Sequence, residues 1–293
     1  MTKFAQLVTN GLLVGLLYTL VALGFVLIRK GSGILNFAQG ELILVAGYLV
    51  AWLLTDVGLP VLVAVTATIA IMAALGTVVE RLVLRPLENE SLLALAMATI
   101  ALGIILRGAV PLIWGEQARD RPEVFTGDGV QIGEVHIAPV NLWAALVVIV
   151  FLLGFSWFFT RSRLGLAMQA VSDDRLAAQS LGADVRRINA AAWAVAGGVA
   201  AFAGFIWGQI LGVNNALIGV GFFVFPVVIL GGLESISGAV VAGLVVGVVE
   251  SLAAGYLDTA APGFGPVAPL VLLLLVLMVR PHGLFGRPEI DRV

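Results

Sequence analysis

Apolar stretches long enough to cross a membrane recur along the whole chain, and no other feature restricts its fold so strongly. A spanning helix needs about 20 mostly apolar residues. Residues 4–28, 59–79, 92–106, 140–159, 188–211, 236–257 and 266–279 have that character, with Glu250 the single charged residue among them. Two further stretches, 42–54 and 218–230, are short. The first follows the semi-apolar run Ile34-Leu35-Asn36-Phe37-Ala38-Gln39-Gly40-Glu41, and the second runs into Gly231-Gly232-Leu233-Glu234. Short or glycine-interrupted segments mark broken helices, whose unpaired backbone is tolerated only inside protein or along a cavity. The expectation is an all-α integral membrane protein, a polytopic bundle of eight or nine transmembrane helices, some of them short or broken.

Composition agrees. Hydrophobic residues make up 60% of the 293 and charged residues 12%, against roughly 45–50% and about 25% in soluble domains. A soluble surface has no place for that excess, whereas lipid does. The net charge of −2 argues against nucleic acid as a partner. Cysteine is absent and only His136 and His282 could offer imidazole, so no metal or other cofactor is expected. The stretch 4–28 reads as a spanning helix stopped by Arg29-Lys30 rather than a signal peptide, whose apolar core runs about 7–15 residues. The pattern starts at once and continues to Val279, giving a single transmembrane domain over 1–293.

Basic residues set the orientation. With the N-terminus outside, Lys3, Arg107, Arg119 and Arg121 lie outside and the other twelve of the 16 Lys+Arg lie inside. The reverse would break the positive-inside rule, so the chain reads N-out and C-in. Glycines spaced by four, Gly11/Gly15, Gly204/Gly208/Gly212 and Gly243/Gly247, suit closely packed membrane helices. Two loops have content. The outer one, 108–138, is acidic and carries Asp128-Gly129, a hairpin turn signal. The inner one, 160–187, is basic at both ends.

No phosphate-binding loop of the G-x-x-x-x-G-K-[ST] form occurs, and no catalytic set assembles, so an enzyme is the weakest reading. Ion-coupled carriers place ionisable groups within their spans at a cost of about 2.5–3.5 kcal/mol or more each. Here Glu250 is the best such candidate. A transporter without its own relay draws free energy from a partner, and a partner needs an inner segment to push. Residues 172–184 supply one: Ser172 as N-cap with acids after it, Ala177 and Ala178 as a small flat surface, and Gly182 as a stop. Arg186 and Arg187 then anchor the next span. The bland alternative is a solvated loop.

The order Asp174-Arg175-x-Ala177-Ala178-x-x-x-Gly182, followed by Arg187, resembles the ATPase-contacting loop of the branched-chain amino-acid ABC permeases (LivH type). It departs from the Glu-Ala-Ala of the broader importer class in having Leu-Ala-Ala. Asn36-Phe37-Ala38-Gln39-Gly40-Glu41, Glu80-Arg81 through Arg85-Pro86-Leu87, and Ala98-Thr99-Ile100-x-Leu102-Gly103 are similar to that family's blocks. So are Gly231-Gly232-Leu233-x-Ser235-x-x-Gly238, Gly247-x-x-Glu250 and 280–286. The resemblance implies a membrane-spanning permease of the inner membrane that carries branched-chain amino acids. Its partners would be a second permease subunit, two cytoplasmic ABC ATPases and an extracytoplasmic substrate-binding protein. Urea or other amino acids are alternative substrates, and an ion-coupled carrier using Glu41 and Glu250 is the rival class.

Candidate pathway residues are Asn36, Phe37, Gln39, Gly40, Glu41, Thr99, Gly231, Gly232, Glu234 and Glu250. Each has a plainer reading. Asn36, Gln39 and Glu41 either touch a passing zwitterion or cap a broken helix. Thr99 either lines the path or bonds back to its own helix. Glu250 is either functional or an interfacial acid.

Overall fold

The computed structural model describes residues 2–115, 117–119, 124–125, 130–132, 135–258 and 262–286. Its elements are almost all helical. α1 (Thr2–Ser32), α2 (Gln39–Thr55), α3 (Val61–Val79) and α4 (Leu92–Trp114) come first. α5 (Pro139–Arg161), α6 (Arg163–Asp173), α7 (Arg175–Ser180) and α8 (Val185–Leu211) follow, then α9 (Ala216–Gly231), α10 (Ile236–Tyr256) and α11 (Ala268–Val279). α3 runs on through a wider π-type turn over Glu80–Leu84 and a 3₁₀ turn over Arg85–Leu87. Six helices are long and apolar enough to cross a membrane, and three shorter apolar ones accompany them.

Local chemistry explains where the helices begin and end. Side chains of Ser91, Ser162, Asp184 and Ser235 accept hydrogen bonds from the backbone N–H groups of Ala94, Gly165, Arg187 and Gly238, satisfying donors that a helix start leaves open. Gly33 and Gly232, at φ 74° and 97°, reverse the chain after α1 and α9 in a conformation that favours glycine.

Several boundaries correct the sequence reading. α4 continues to Trp114, so the segment read as an outer loop from 108 is helical over its first seven residues. Arg107 is therefore inside the helix, about 10 Å short of its end at the α-helical rise. The inner segment folds as two helices rather than one. Ser172 sits in the last turn of α6, and Asp174 is the N-cap of α7, its carboxylate accepting from Ala177 N–H at 2.9 Å. The outer segment holds two strands, β1 (Val130–Ile132) and β2 (Val135–Ile137), paired antiparallel with Ile132 opposite Val135. Asp128-Gly129, the expected turn, lie outside the described residues.

The helices gather into two compact units, 27–125 with 149–222, and 1–26 with 126–148 and 223–293. In the larger unit α3 and α2 lie against α8, and α2 also against α4. Small residues make the approaches possible. A Cβ on Gly204 would stand 2.7 Å from both the Gly47 nitrogen and the Ile43 oxygen. Gly76 and Gly197 meet the backbone of Trp193 and Met72. In the smaller unit the four-spaced glycines interlock: a Cβ on Gly15 would lie 2.6 Å from the Gly243 oxygen, and one on Gly11 2.6 Å from Val248 Cα.

Candidate functional site

The polar centre of the larger unit is built around the start of α2. Residues 33–38 leave helical geometry and alternate between half-buried and buried, with Asn36 and Ala38 fully enclosed. Such backbone needs side-chain partners, and Asn36 supplies them. Its Oδ1 accepts from Ala38 N–H at 3.0 Å, and its Nδ2 donates to Gln39 Oε1 at 3.0 Å. Thr99 on α4 donates back to Ala96 O at 2.8 Å and accepts from Phe37 N–H at 3.3 Å. Asn36 therefore closes a local turn ahead of α2 and holds the Gln39 side chain, and Thr99 bonds to its own helix while holding the interruption. Gly40 lets α9 approach, since a Cβ there would lie 2.5 Å from the Ile218 oxygen.

One turn above Thr99, Gly103 leaves room for the carboxylate of Glu41, which a Cβ would crowd at 3.1 Å. Glu41 is buried, and Arg107 donates to it from Nη2 at 2.6 Å. This pair joins α2 to α4. Arg107 was read only as a residue near an outer end. Its partner lies 66 positions away, a spacing that carries no sequence signal.

A second cluster surrounds α7. Asp174 caps the helix, and Arg175 bonds Glu88, which Arg186 also approaches at 3.7 Å. Arg187 pairs with Asp184 at 2.9 Å. Ala178 is buried and Ala177 exposed, so the two alanines do not share one open face. The apolar side chains open to the surroundings are Leu176 and Leu181, 76% and 90% exposed. Gly182, at φ 90°, ends the segment. Arg85 binds Glu80 at 2.9 Å. A cavity of about 260 Å³ lies here, lined by Ile34, Glu80, Arg85, Glu88, Arg175 and Trp193 among others. Glu88 went unnoticed in the sequence because nothing local distinguishes it from a solvated acid.

At the opposite end of this unit Arg119 binds Asp56 and bridges to Val213. The Arg119 guanidinium and the Thr55 hydroxyl beside Asp56 hold its carboxyl below the ordinary carboxylate value.

The remaining candidates belong to the smaller unit. Gly231 and Gly232 are buried at the corner between α9 and α10. There Leu284 N–H donates to Leu230 O at 2.7 Å, and a Cβ on Gly232 would lie 2.6 Å from the Gly286 nitrogen. Their smallness has a packing cause. Glu234 is exposed at the same corner. Glu250 on α10 accepts from the Tyr18 hydroxyl of α1, and its Oε2 is buried without a hydrogen-bond partner. Among the described residues, no three His, Asp or Glu side chains gather into a metal cage.

Residues 7–279 match the family described as "Branched-chain amino acid transport system / permease component". The high-affinity branched-chain amino acid transport system permease protein LivH of Escherichia coli (strain K12) is 34% identical over 99% of this chain and 98% of its own. Its counterpart BraD of Pseudomonas aeruginosa is 32% identical over the same shares. A probable LivH of Methanocaldococcus jannaschii is 28% identical over 92% and 89%. The solved structure "PsaBC from Streptococcus pneumoniae in complex with Fab" aligns over 94% of this chain and 92% of its own at 14% identity and TM-score 0.47, too slight a likeness to bear on the fold. With a match that takes in every long apolar helix, this multi-pass membrane protein belongs to the family of permease components of branched-chain amino acid transport systems.

Proposed function

We propose that this chain is the membrane-spanning subunit of an ATP-driven importer that carries branched-chain amino acids across the inner membrane. A second permease subunit completes the pathway, two cytoplasmic ATPases power it, and an extracytoplasmic binding protein delivers the solute. Full-length kinship with permeases named for branched-chain amino acid transport carries this reading. The distribution of Lys and Arg supports an N-out and C-in orientation for its eight or nine transmembrane helices.

The α6–α7 segment suits the coupling role. Asp174 fixes the start of α7, Arg175 ties it to Glu88 on the α3–α4 corner, and Leu176 and Leu181 present apolar surface for a partner. Ala177, Ala178, Gly182 and Arg187 shape and anchor that contact. A push on α7 is thereby passed to α3 and α4 by a hydrogen-bonded charge pair rather than by backbone alone. Substrate passes beside the polar start of α2, with Asn36, Phe37, Gln39, Gly40, Glu41 and Thr99 on one side of the reading. Gly231, Gly232, Glu234 and Glu250 are the candidates from the other half. The pairing of Glu41 with Arg107 counts against Glu41 as an ion-binding acid.

The test is reconstitution of the assembled transporter. Asp174→Ala with Arg175→Ala should leave basal ATP hydrolysis intact and abolish its stimulation by substrate-loaded binding protein, while Phe4→Ala, remote in sequence, should not. Unchanged stimulation would remove α7 from the contact. Concentrative uptake by the permease alone, driven by an ion gradient, would replace the ATP-driven reading with the ion-coupled one.

A further inference from the structure

We infer that the exposed stripe of α4 around Arg107 lines the aqueous route of the solute, and that the Arg107 guanidinium binds the carboxylate of the passing amino acid. The inference rests on the transport reading and adds a named contact to it.

Depth and direction come first. Arg107 lies seven residues inside the Trp114 end of α4. Cα–Cβ bonds tilt toward a helix's N-terminus, so this side chain leans toward Gly103 and the middle of the span, away from the nearer end. Glu41 holds it there. Yet half of the side chain is exposed, at 50%, while Glu41 is enclosed at 6%. A guanidinium is among the costliest groups to leave against hydrocarbon, and one found within a span faces a protein interior or water. The exposed half of Arg107 is accounted for if this side of α4 meets an aqueous path.

The remaining donors give the chemistry. Guanidinium offers several N–H groups in a planar fork, and Arg107 donates one hydrogen bond, to Glu41 Oε1. The rest match the two oxygens of a carboxylate in the bidentate geometry that makes such pairs strong and directional. Glu41 also pre-orients the fork and partly offsets its charge, so the carboxylate is held without being trapped. Beside it, Gly108 has nothing within 4 Å of where a Cβ would stand, which leaves space for the solute. Ile104 and Ile100, 66% and 39% exposed, lie one and two turns along. They offer aliphatic contact to a branched side chain whose carboxylate is on Arg107.

The chain contains no cysteine, so Gly108→Cys or Ile104→Cys gives it a single thiol. The experiment uses the assembled transporter in liposomes, a membrane-impermeant cationic thiol reagent, and Val57→Cys in the exposed segment after α2 as a reactive control. Both α4 thiols should react, and leucine delivered by the binding protein should slow reaction at position 108. That protection should vanish with Arg107→Ala, and ATP-driven leucine uptake should fall about tenfold, the size expected for losing one charge-assisted pair. Arg107→Lys should keep part of both. The pair Glu41→Gln with Arg107→Gln removes both charges together and leaves no buried carboxylate without its counter-charge, so it should assemble and still lose protection. Thiols at 104 and 108 that ignore the reagent while Val57→Cys reacts would put this face against lipid or a dry partner and overturn the inference. So would undiminished uptake and protection in Arg107→Ala. Absence of ATP-driven uptake by the unsubstituted complex would instead sink the transport reading itself.

Discussion

A single methyl group decides how closely two of these helices can lie. In water, apolar surface drives helices together. In lipid that drive is missing, and close backbone contact between small residues replaces it. Gly197 on α8 faces the Met72 carbonyl of α3 so closely that an added Cβ would clash with the oxygen. Gly154 on α5 faces open space, with nothing within 4 Å. The same substitution should therefore have opposite signs at the two positions. Gly197→Ala should destabilise by about 1–3 kcal/mol through overpacking, whereas Gly154→Ala should be neutral or stabilising by up to about 1 kcal/mol from helix propensity. Thermal unfolding of the purified protein in detergent measures both, and equal shifts would mean that the α3–α8 contact is looser than its geometry. Glycine spacing is visible in the sequence, but which glycine touches backbone is not. The same holds for Arg107 and Glu41. Each was read with only its neighbours in view, and the pair between them is a tertiary fact.

The elements were largely legible. Apolar runs with Glu250 as their one charge match α1, α3, α5, α8 and α10 to within a few residues, because the cost of a charge in lipid keeps charges toward the ends of a span. α4 runs past Leu106 to Trp114, because Arg107 is paired with Glu41 and a paired charge need not stop a helix. The coupling segment was read as one helix because its acids cluster at 173–174, and only the extended backbone of Asp174, φ −156° and ψ 104°, divides it. The entry to α2 is the element where side chains stand in for missing helix bonds, and that gives a graded prediction. Asn36→Ala removes the acceptor for Ala38 N–H and the donor to Gln39 in a fully enclosed site, leaving buried polar groups at a cost of about 1–3 kcal/mol. Thr99→Val removes a longer bond, 3.3 Å, and should cost less. Amide hydrogen exchange over residues 33–42 should rise strongly in the first variant and weakly in the second. The reverse order would make Thr99, not Asn36, the principal support of the interruption.

For the whole molecule, orientation and number of crossings become one parity problem. Among the described residues there are six long and three shorter apolar helices. If all nine cross, Val57 lies two spans from the N-terminus, Leu181 three further on, and Phe285 four beyond that. An odd number separates Val57 from Leu181 and an even number separates Leu181 from Phe285. All three side chains are exposed, at 46%, 90% and 49%, and the chain supplies no competing thiol. With Lys and Arg concentrated inside, a membrane-impermeant thiol reagent applied to intact cells should label Val57→Cys alone. Leu181→Cys and Phe285→Cys should react only once the membrane is opened. Labelling of Leu181→Cys and Phe285→Cys but not Val57→Cys in intact cells would invert the orientation. Separation of Leu181→Cys from Phe285→Cys would mean that one of α8 to α11 turns back without crossing. The 16 residues of α9, about 24 Å at the α-helical rise against a hydrocarbon core of about 30 Å, together with Pro226 in its interior, make it the first segment to suspect in that case.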